Sequence, residues 1–179
     1  MPRIAPLDPP YPADVQASFD ALMKGAPPLM LFRTVARSPR AWEKFRGGSL
    51  LDRGPLSLRQ RELVIDRTCA LAGCEYEWGV HIAAFAAAAA LTPEEIAATA
   101  GVGSAAPIWT DPERVLLETA EALHRRATLS DAEFAALSAH YDADQILEVL
   151  LLCGFYRMVA YVANGLDLDL EATAARFFA

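Results

Sequence analysis

The sequence predicts an all-α fold, a single bundle of roughly eight helices, and three observations predict it. Helix-start signals recur along the chain, each followed by apolar residues at three- and four-residue steps. No Asn-Gly or Asp-Gly pair separates two alternating runs, so hairpins find no sequence support. The composition is 54% hydrophobic and rich in alanine, whose small side chain lets helices approach closely.

The elements follow in order. Residues 1–12 read as an N-terminal arm. Asp14 after Tyr11-Pro12 starts a helix with Phe19, Leu22 and Met23 on one face, closed by Gly25-Ala26-Pro27-Pro28. Ser38-Pro39 reads as an N-cap with proline at the first helical position, and the helix runs through Trp42 and Phe45 to Gly47-Gly48. Gly54-Pro55 breaks the chain. Ser57 with Gln60 forms a capping-box pattern ahead of Leu58, Val64, Ile65 and Leu71, and Gly73 interrupts that helix. A helix is expected from Cys74 to Ala90, ending in an alanine run suited to tight helix contact. Thr92-Pro93 with Glu95 opens the next, and Gly101-Val102-Gly103-Ser104 is a loop. Asp111-Pro112-Glu113 starts a helix through Val115, Leu116, Ala120 and Leu123. Ser130 with Glu133, then Asp142 with Gln145, cap the last two. Asn164-Gly165 reads as a C-cap pair. The domain thus spans 13–170, and 171–179 is a tail.

Several function classes are disfavoured. The formal net charge is −7 and no basic cluster exceeds Arg125-Arg126, which argues against a nucleic-acid surface. The apolar stretches His81–Leu91 and Ile146–Gly154 fall short of the run of about 20 residues that spans a bilayer. The start, Met1-Pro2-Arg3-Ile4-Ala5-Pro6, has no apolar core of a signal peptide. Cys69, Cys74 and Cys153 are odd in number, which fits free thiols in a reducing cytoplasm. No phosphate loop and no metal-ligand set is visible, so no cofactor is expected. Glu77 and His81 are at most two ligands of a weak metal site.

The chemistry concentrates in one stretch. Cys74, Glu77 and His81 are spaced i, i+3 and i+4, which aligns them on one helix face. Glu62 lies twelve residues before Cys74, across the Gly73 break. A thiol at a helix N-terminus has its thiolate favoured by unpaired N–H groups. An imidazole passes protons near neutral pH, and a buried carboxyl acts as acid or base. Glu75 and Glu77 oppose a thiolate at Cys74 by charge. Tyr76, Trp78 and Arg157 are candidate substrate-binding residues, with Tyr156 beside Arg157. An arginine on so apolar a helix needs a partner: Glu62, Asp66 or a substrate carboxylate. Cys69 and Cys153 read as core, His124 as a solvated helix end, and Trp42 and Trp109 as core anchors.

The segment Leu56-Ser57-Leu58-Arg59-Gln60-Arg61-Glu62-Leu63-Val64, then Gly73-Cys74-Glu75-Tyr76-Glu77-Trp78-Gly79-Val80-His81, then Leu91-Thr92-Pro93-Glu94-Glu95-Ile96, resembles the carboxymuconolactone decarboxylase family. Gly154-Phe155-Tyr156-Arg157-Met158 and Asn164-Gly165-Leu166 extend the likeness over most of residues 40–170. The resemblance implies an alkylhydroperoxidase-D-like helical bundle, a homo-oligomer and a small-molecule substrate. In the alkylhydroperoxidase-D branch a Glu is followed twelve residues later by Cys-x-x-Cys, then by a His four residues beyond the second Cys. Glu62, Cys74 and His81 match that pattern, but Glu77 stands where the branch has its peroxidatic thiol. The resemblance therefore implies acid–base chemistry, decarboxylation or isomerisation of a small carboxylic acid or lactone, by Glu62, Glu77 and His81. The alternatives are a thiol-dependent peroxidase cycle on Cys74 and a non-catalytic helical oligomer.

Overall fold

The computed structural model describes residues 2–177, and among them the chain forms nine α-helices, one 3-10 turn (Gly103–Ala105) and no strand. The helices are α1 (Ala13–Met23), α2 (Met30–Val35), α3 (Pro39–Gly47), α4 (Leu58–Leu71), α5 (Glu75–Phe85), α6 (Pro93–Ala100), α7 (Asp111–Arg126), α8 (Asp131–Ser138) and α9 (Ala143–Gly165). Met1 and residues 178–179, the outermost parts of the expected arm and tail, lie outside the described residues.

The capping chemistry sets most helix starts. At Ser57, Thr92, Ser130 and Asp142 the N-cap side chain accepts from the third backbone N–H. The residue at that third position accepts back from the N-cap N–H. Glu113 accepts from both the backbone N–H and the hydroxyl of Thr110 at the start of α7. Each closure satisfies donors that would otherwise face water or the core unpaired. The short α2 is the element that sequence patterning omits: its N-cap is Leu29, with no side-chain cap. Six residues after two prolines carry too little periodicity to stand out.

Helix α5 is shorter than the expected Cys74–Ala90 segment. It ends at Phe85, and the chain winds down to Ala90 in the left-handed region (φ 53°). The Leu91 N–H donates to the Ala86 carbonyl at 2.9 Å. Arg59 Nη1 donates to the Ala90 carbonyl at 3.0 Å, so α4 holds this unwound end. Within the alanine run Ala86 and Ala89 are buried, whereas Ala83 and Ala84 border a cavity.

Helix α4 is the centre of the fold. It packs against α5, α6, α7 and α9, and every residue from Arg61 to Cys69 is buried. Helix α9 crosses it with Ile146, Val149, Leu152, Tyr156, Val159 and Ala163 turned inward. Over its most apolar stretch α9 has a mean hydropathy of 1.8, so by length and composition it is able to cross a membrane. Here its apolar residues fill the core on one side and leave Leu147, Leu151 and Tyr161 exposed on the other. A satellite cluster of Val15, Phe19, Ala36 and Trp42 joins α1 and α3, with Phe19 and Trp42 edge to face at 5.4 Å.

Both end segments are tied down. The Arg3 N–H donates to the Leu166 carbonyl at 2.8 Å, and the Leu7 N–H to the Arg33 carbonyl at 3.1 Å. Residues 171–177 run along α5. The Ala175 N–H donates to the Gly79 carbonyl at 3.0 Å, and the Phe177 N–H to Glu75 Oε1 at 2.9 Å. The Phe177 ring lies 5.0 Å from that of Trp78. Glycine at 79 permits this approach, because a Cβ there would run into the Ala175 carbonyl. Gly79→Ala should therefore lift the tail. Overpacking of this kind costs about 1–3 kcal/mol, a fall of roughly 2–12 °C in Tm. The residues after 170 should then become open to carboxypeptidase; unchanged protection would contradict this role for Gly79.

Candidate functional site

Two helices supply the site. Helix α4 presents Glu62 and Asp66 one turn apart. The chain then reverses at Gly73, whose φ of +61° is a conformation glycine adopts freely. Cys74 caps α5, and α5 returns Glu77 and His81 one turn apart. Pairs at i and i+4 share a helix face, so the carboxylates of α4 meet the imidazole of α5.

His81 Nδ1 lies 2.7 Å from Glu62 Oε2, and His81 Nε2 lies 3.5 Å from Glu77 Oε1. Arg61 donates from Nε and Nη2 to Glu62 Oε1 at 3.0 and 2.9 Å, and from Nη1 to the Leu51 carbonyl at 3.0 Å. Phe85 lies under the Arg61 guanidinium at 5.5 Å, and Tyr156 stands edge-on to the imidazole at 5.0 Å. Glu62 and Asp66 are each 1% exposed and His81 3%, so water does not solvate these charges.

Burial by itself lowers the pKa of His81. The hydrogen bonds to Glu62 and Glu77 outweigh it and raise the value to about 10, so the ring is an imidazolium at neutral pH. Burial pushes the Asp66 carboxyl well above the ordinary range; the His81 charge opposes this and the Glu62 charge adds to it. Among the described residues two buried carboxyl oxygens have no hydrogen-bond partner, Asp66 Oδ1 and Glu77 Oε2. Leaving such atoms unpaired costs about 1–3 kcal/mol each. Glu62, Asp66 and His81 each offer a donor atom within 4.8 Å of the others. That set is able by type to hold a metal ion, although the Glu62 and His81 donors are bonded to each other.

Glu77 and His81 open onto a cavity of about 420 Å³. Leu51, Phe32, Val80 and Phe85 give it an apolar wall, and Glu171 of the tail adds a second carboxylate. Glu171 Oε1 accepts from the Tyr76 hydroxyl at 2.5 Å and from the Met30 N–H at 2.6 Å. The Tyr76 hydroxyl accepts in turn from the Leu31 N–H at 3.0 Å.

The sequence-predicted residues divide. Glu62, Glu77 and His81 come together. Cys74 is fully buried and does not line the cavity. Burial raises its thiol to about 11, although the N–H groups of Glu77 and Tyr76 pull the other way, so it is protonated at neutral pH. Cys69 and Cys153 are buried free thiols. Tyr76 reaches the cavity only through Glu171. Trp78 packs in the core, its Nε1 donating to Thr99 Oγ1 at 3.0 Å. Arg157 meets neither Glu62 nor Asp66; it contacts His124 and Tyr161 in a different cavity. His124 is half-buried there and is not a solvated helix end.

Arg61, Asp66 and Glu171 complete the site beyond the sequence prediction. The first two carry a readable signal, since four charges, at Arg61, Glu62, Asp66 and Arg67, fall within seven residues around the apolar run Leu63-Val64-Ile65. Glu171 has none, because its partners are remote in the chain.

Residues 36–122 match the carboxymuconolactone decarboxylase family. An uncharacterized peroxidase-related protein from Silicibacter sp. TM1040 has a similar structure, with a TM-score of 0.83 and 21% identity; the match covers 97% of this chain and 93% of that one. An uncharacterized peroxidase-related protein with an alkylhydroperoxidase AhpD core, from Ralstonia eutropha JMP134, gives 0.81 and 20%, over 94% and 93%. A single-residue variant of the debrominase Bmp8, in complex with 2,3,4-tribromopyrrole, gives 0.78 and 16%, over 95% and 92%. At these identities the likeness shows a shared fold. No curated protein matches the chain.

The His81 pKa makes stability depend on pH. It is raised above the unfolded value of about 6.5, so the stabilisation is fully present below that pH. It is lost as pH rises through about 10. Tm should fall between these limits, and His81→Gln should flatten that fall. An imidazole that titrates near 6.5 by NMR would contradict the assignment.

Proposed function

We propose, from the match of residues 36–122 to the carboxymuconolactone decarboxylase family and the shared fold, that this chain is a member of that family and an acid–base enzyme built on Glu62, Glu77 and His81. One observation carries the reading: a buried carboxylate oxygen, Glu77 Oε2, has no partner and belongs to a residue at the wall of a cavity, next to an imidazolium. A structural ion pair has no need of that unpaired acceptor.

The roles follow from the contacts. Glu77 takes a proton from the carbon beside a substrate carbonyl, and the electron pair moves onto the carbonyl oxygen. His81 donates its Nε2 proton to that oxygen, and Glu62 holds the ring through Nδ1. Arg61 balances the Glu62 charge from the other side. Return of the proton from Glu77 to a different carbon completes an isomerisation. In a decarboxylation the C–C bond to the carboxylate breaks, carbon dioxide leaves, and the electron pair left on carbon takes the Nε2 proton of the His81 imidazolium, which regains it from water. Glu77 and Glu171 both line the cavity, with His81 as the cation facing them. That charge balance suits a small neutral carbonyl compound such as a lactone better than a carboxylic acid.

The competing reading, a thiol-dependent peroxidase, draws on the likeness to peroxidase-related proteins and requires Cys74 to be reached and ionised. Burial and a pKa raised to about 11 act against both requirements. A non-catalytic role leaves the unpaired Glu77 oxygen unexplained.

The test follows hydrogen exchange in deuterated water on a panel of small lactones and 1,3-dicarbonyl compounds. Wild type should exchange the proton beside the carbonyl, and Glu77→Gln should lose about 10²–10⁴-fold of that rate. Cys74→Ala should keep it. Hydroperoxide consumption with a thiol reductant that vanishes in Cys74→Ala, with no exchange in wild type, would replace this reading by the thiol cycle.

A further inference from the structure

A second cavity, of about 370 Å³, lies between α4, α7 and α9 and shares no lining residue with the first. Its polar groups are Arg157, His124, Tyr161 and Thr68; Leu123 and Leu150 give it an apolar side. From it we propose a second ligand site, separate from the catalytic one, that takes a small monocarboxylate with an apolar body.

The buried and half-buried arginines provide the first argument. Arg33 pairs with Asp8, Arg59 with Glu95 and Glu113, Arg61 with Glu62, Arg67 with Glu121, and Arg114 with Asp111 and Glu118. Among the described residues Arg157 is the one arginine of this class with no carboxylate. Its contacts are neutral: Nη1 meets His124 Nδ1, and Nε donates to the Tyr161 hydroxyl at 3.1 Å. A partly desolvated guanidinium without an anion is costly, and its Nη2 is left for a carboxylate oxygen. Bidentate pairing with a carboxylate is the geometry a guanidinium favours.

The second argument is the sign of the surrounding field. The groups that act on His124 are cations: Arg157 from α9, Arg67 from α4 and Arg125 from α7, which with burial hold it below the ordinary imidazole range. Arg67 is matched by Glu121. Among the described residues no carboxylate lines the cavity. The field therefore favours an anion, in contrast to the catalytic cavity with its two glutamates. The apolar wall and a volume of this size suit a ring or short aliphatic body attached to that charge.

Benzoate serves as the probe and neutral benzamide as its control, with binding followed by calorimetry and by the His124 imidazole signals in NMR. Wild type should bind benzoate at least tenfold more tightly than benzamide, with the His124 signals shifting. Arg157→Gln should weaken benzoate at least tenfold, while Arg157→Lys should retain part of the affinity. Equal binding of benzoate and benzamide by wild type, or no shift at His124, would overturn the proposal whether or not the variants fold. Light scattering on the same samples covers a subunit contact: a mass that changes in Arg157→Gln, without benzoate binding by wild type, assigns Arg157 to that contact and also overturns it.

Discussion

The fold rests on the need to neutralise the charges of α4. From Arg61 to Cys69 the helix has no face toward water, yet it carries Arg61, Glu62, Asp66 and Arg67. A buried charge is tolerated only when it is paired and hydrogen-bonded. Each of these groups consequently determines a neighbour. His81 brings in α5, and Glu121, paired with Arg67, brings in α7. The carbonyls of Thr99 and Gly101 at the end of α6 also accept from Arg67. Leu51 closes the loop before α4 onto Arg61. Arg59 extends the scheme at the helix entrance, since its partners Glu95 and Glu113 are also the capping residues of α6 and α7. Removing one member of such a pair costs about 3–5 kcal/mol, because the other is stranded without water.

The same constraint shapes the site. Three acids, Glu62, Asp66 and Glu77, face two cations, Arg61 and His81. Of the three, Asp66 is the one whose burial most disfavours the charged form, with the Glu62 charge adding to the effect and the His81 charge opposing it. Glu62 is fully engaged, with Arg61 on one oxygen and His81 on the other. Glu77 is engaged on one oxygen only, and it is the carboxylate that meets the cavity. The division between a carboxylate paired on both oxygens and one with an unpaired oxygen follows from which helix each sits on. Glu62 points between α4 and α5, whereas Glu77 lies where the tail and α1 leave space. The tail contributes Glu171 to the cavity and depends on Gly79 to approach α5, so the cavity wall and the chain's end are one construction.

Much of this is legible in particular residues. Ser57-Gln60, Thr92-Glu95, Ser130-Glu133 and Asp142-Gln145 announce their helices because a capping box is a local arrangement, complete within four residues. Gly73 announces the reversal for the same reason. The spacing of Glu77 and His81 places them on one face, and the resemblance of the Glu62–His81 stretch to a known family joins them to Glu62. Helix α2 is not legible, since Leu29 caps it without a side-chain signal. Nor is the end of α5 at Phe85, which Arg59 and the Ala86–Leu91 turn determine from outside the helix. Arg157 illustrates the limit: the sequence shows that an arginine on an apolar helix needs a partner, but the helix's rotation about its axis, set by packing on α4, decides which side it faces.

By itself, then, the sequence determined the all-helical fold, most of the helix starts, the free thiols and the stretch in which Glu62, Glu77 and His81 come together. These depend on spacing and local hydrogen bonding, which act over one or two turns. The tertiary structure alone decided that Glu77 borders a cavity while Cys74 does not, that Arg61 and Asp66 lie beside Glu62 and His81, that Glu171 lines the same cavity, and that Arg157 stands in another. Burial and charge pairing decide these matters, and both depend on segments distant in the chain that only folding brings together.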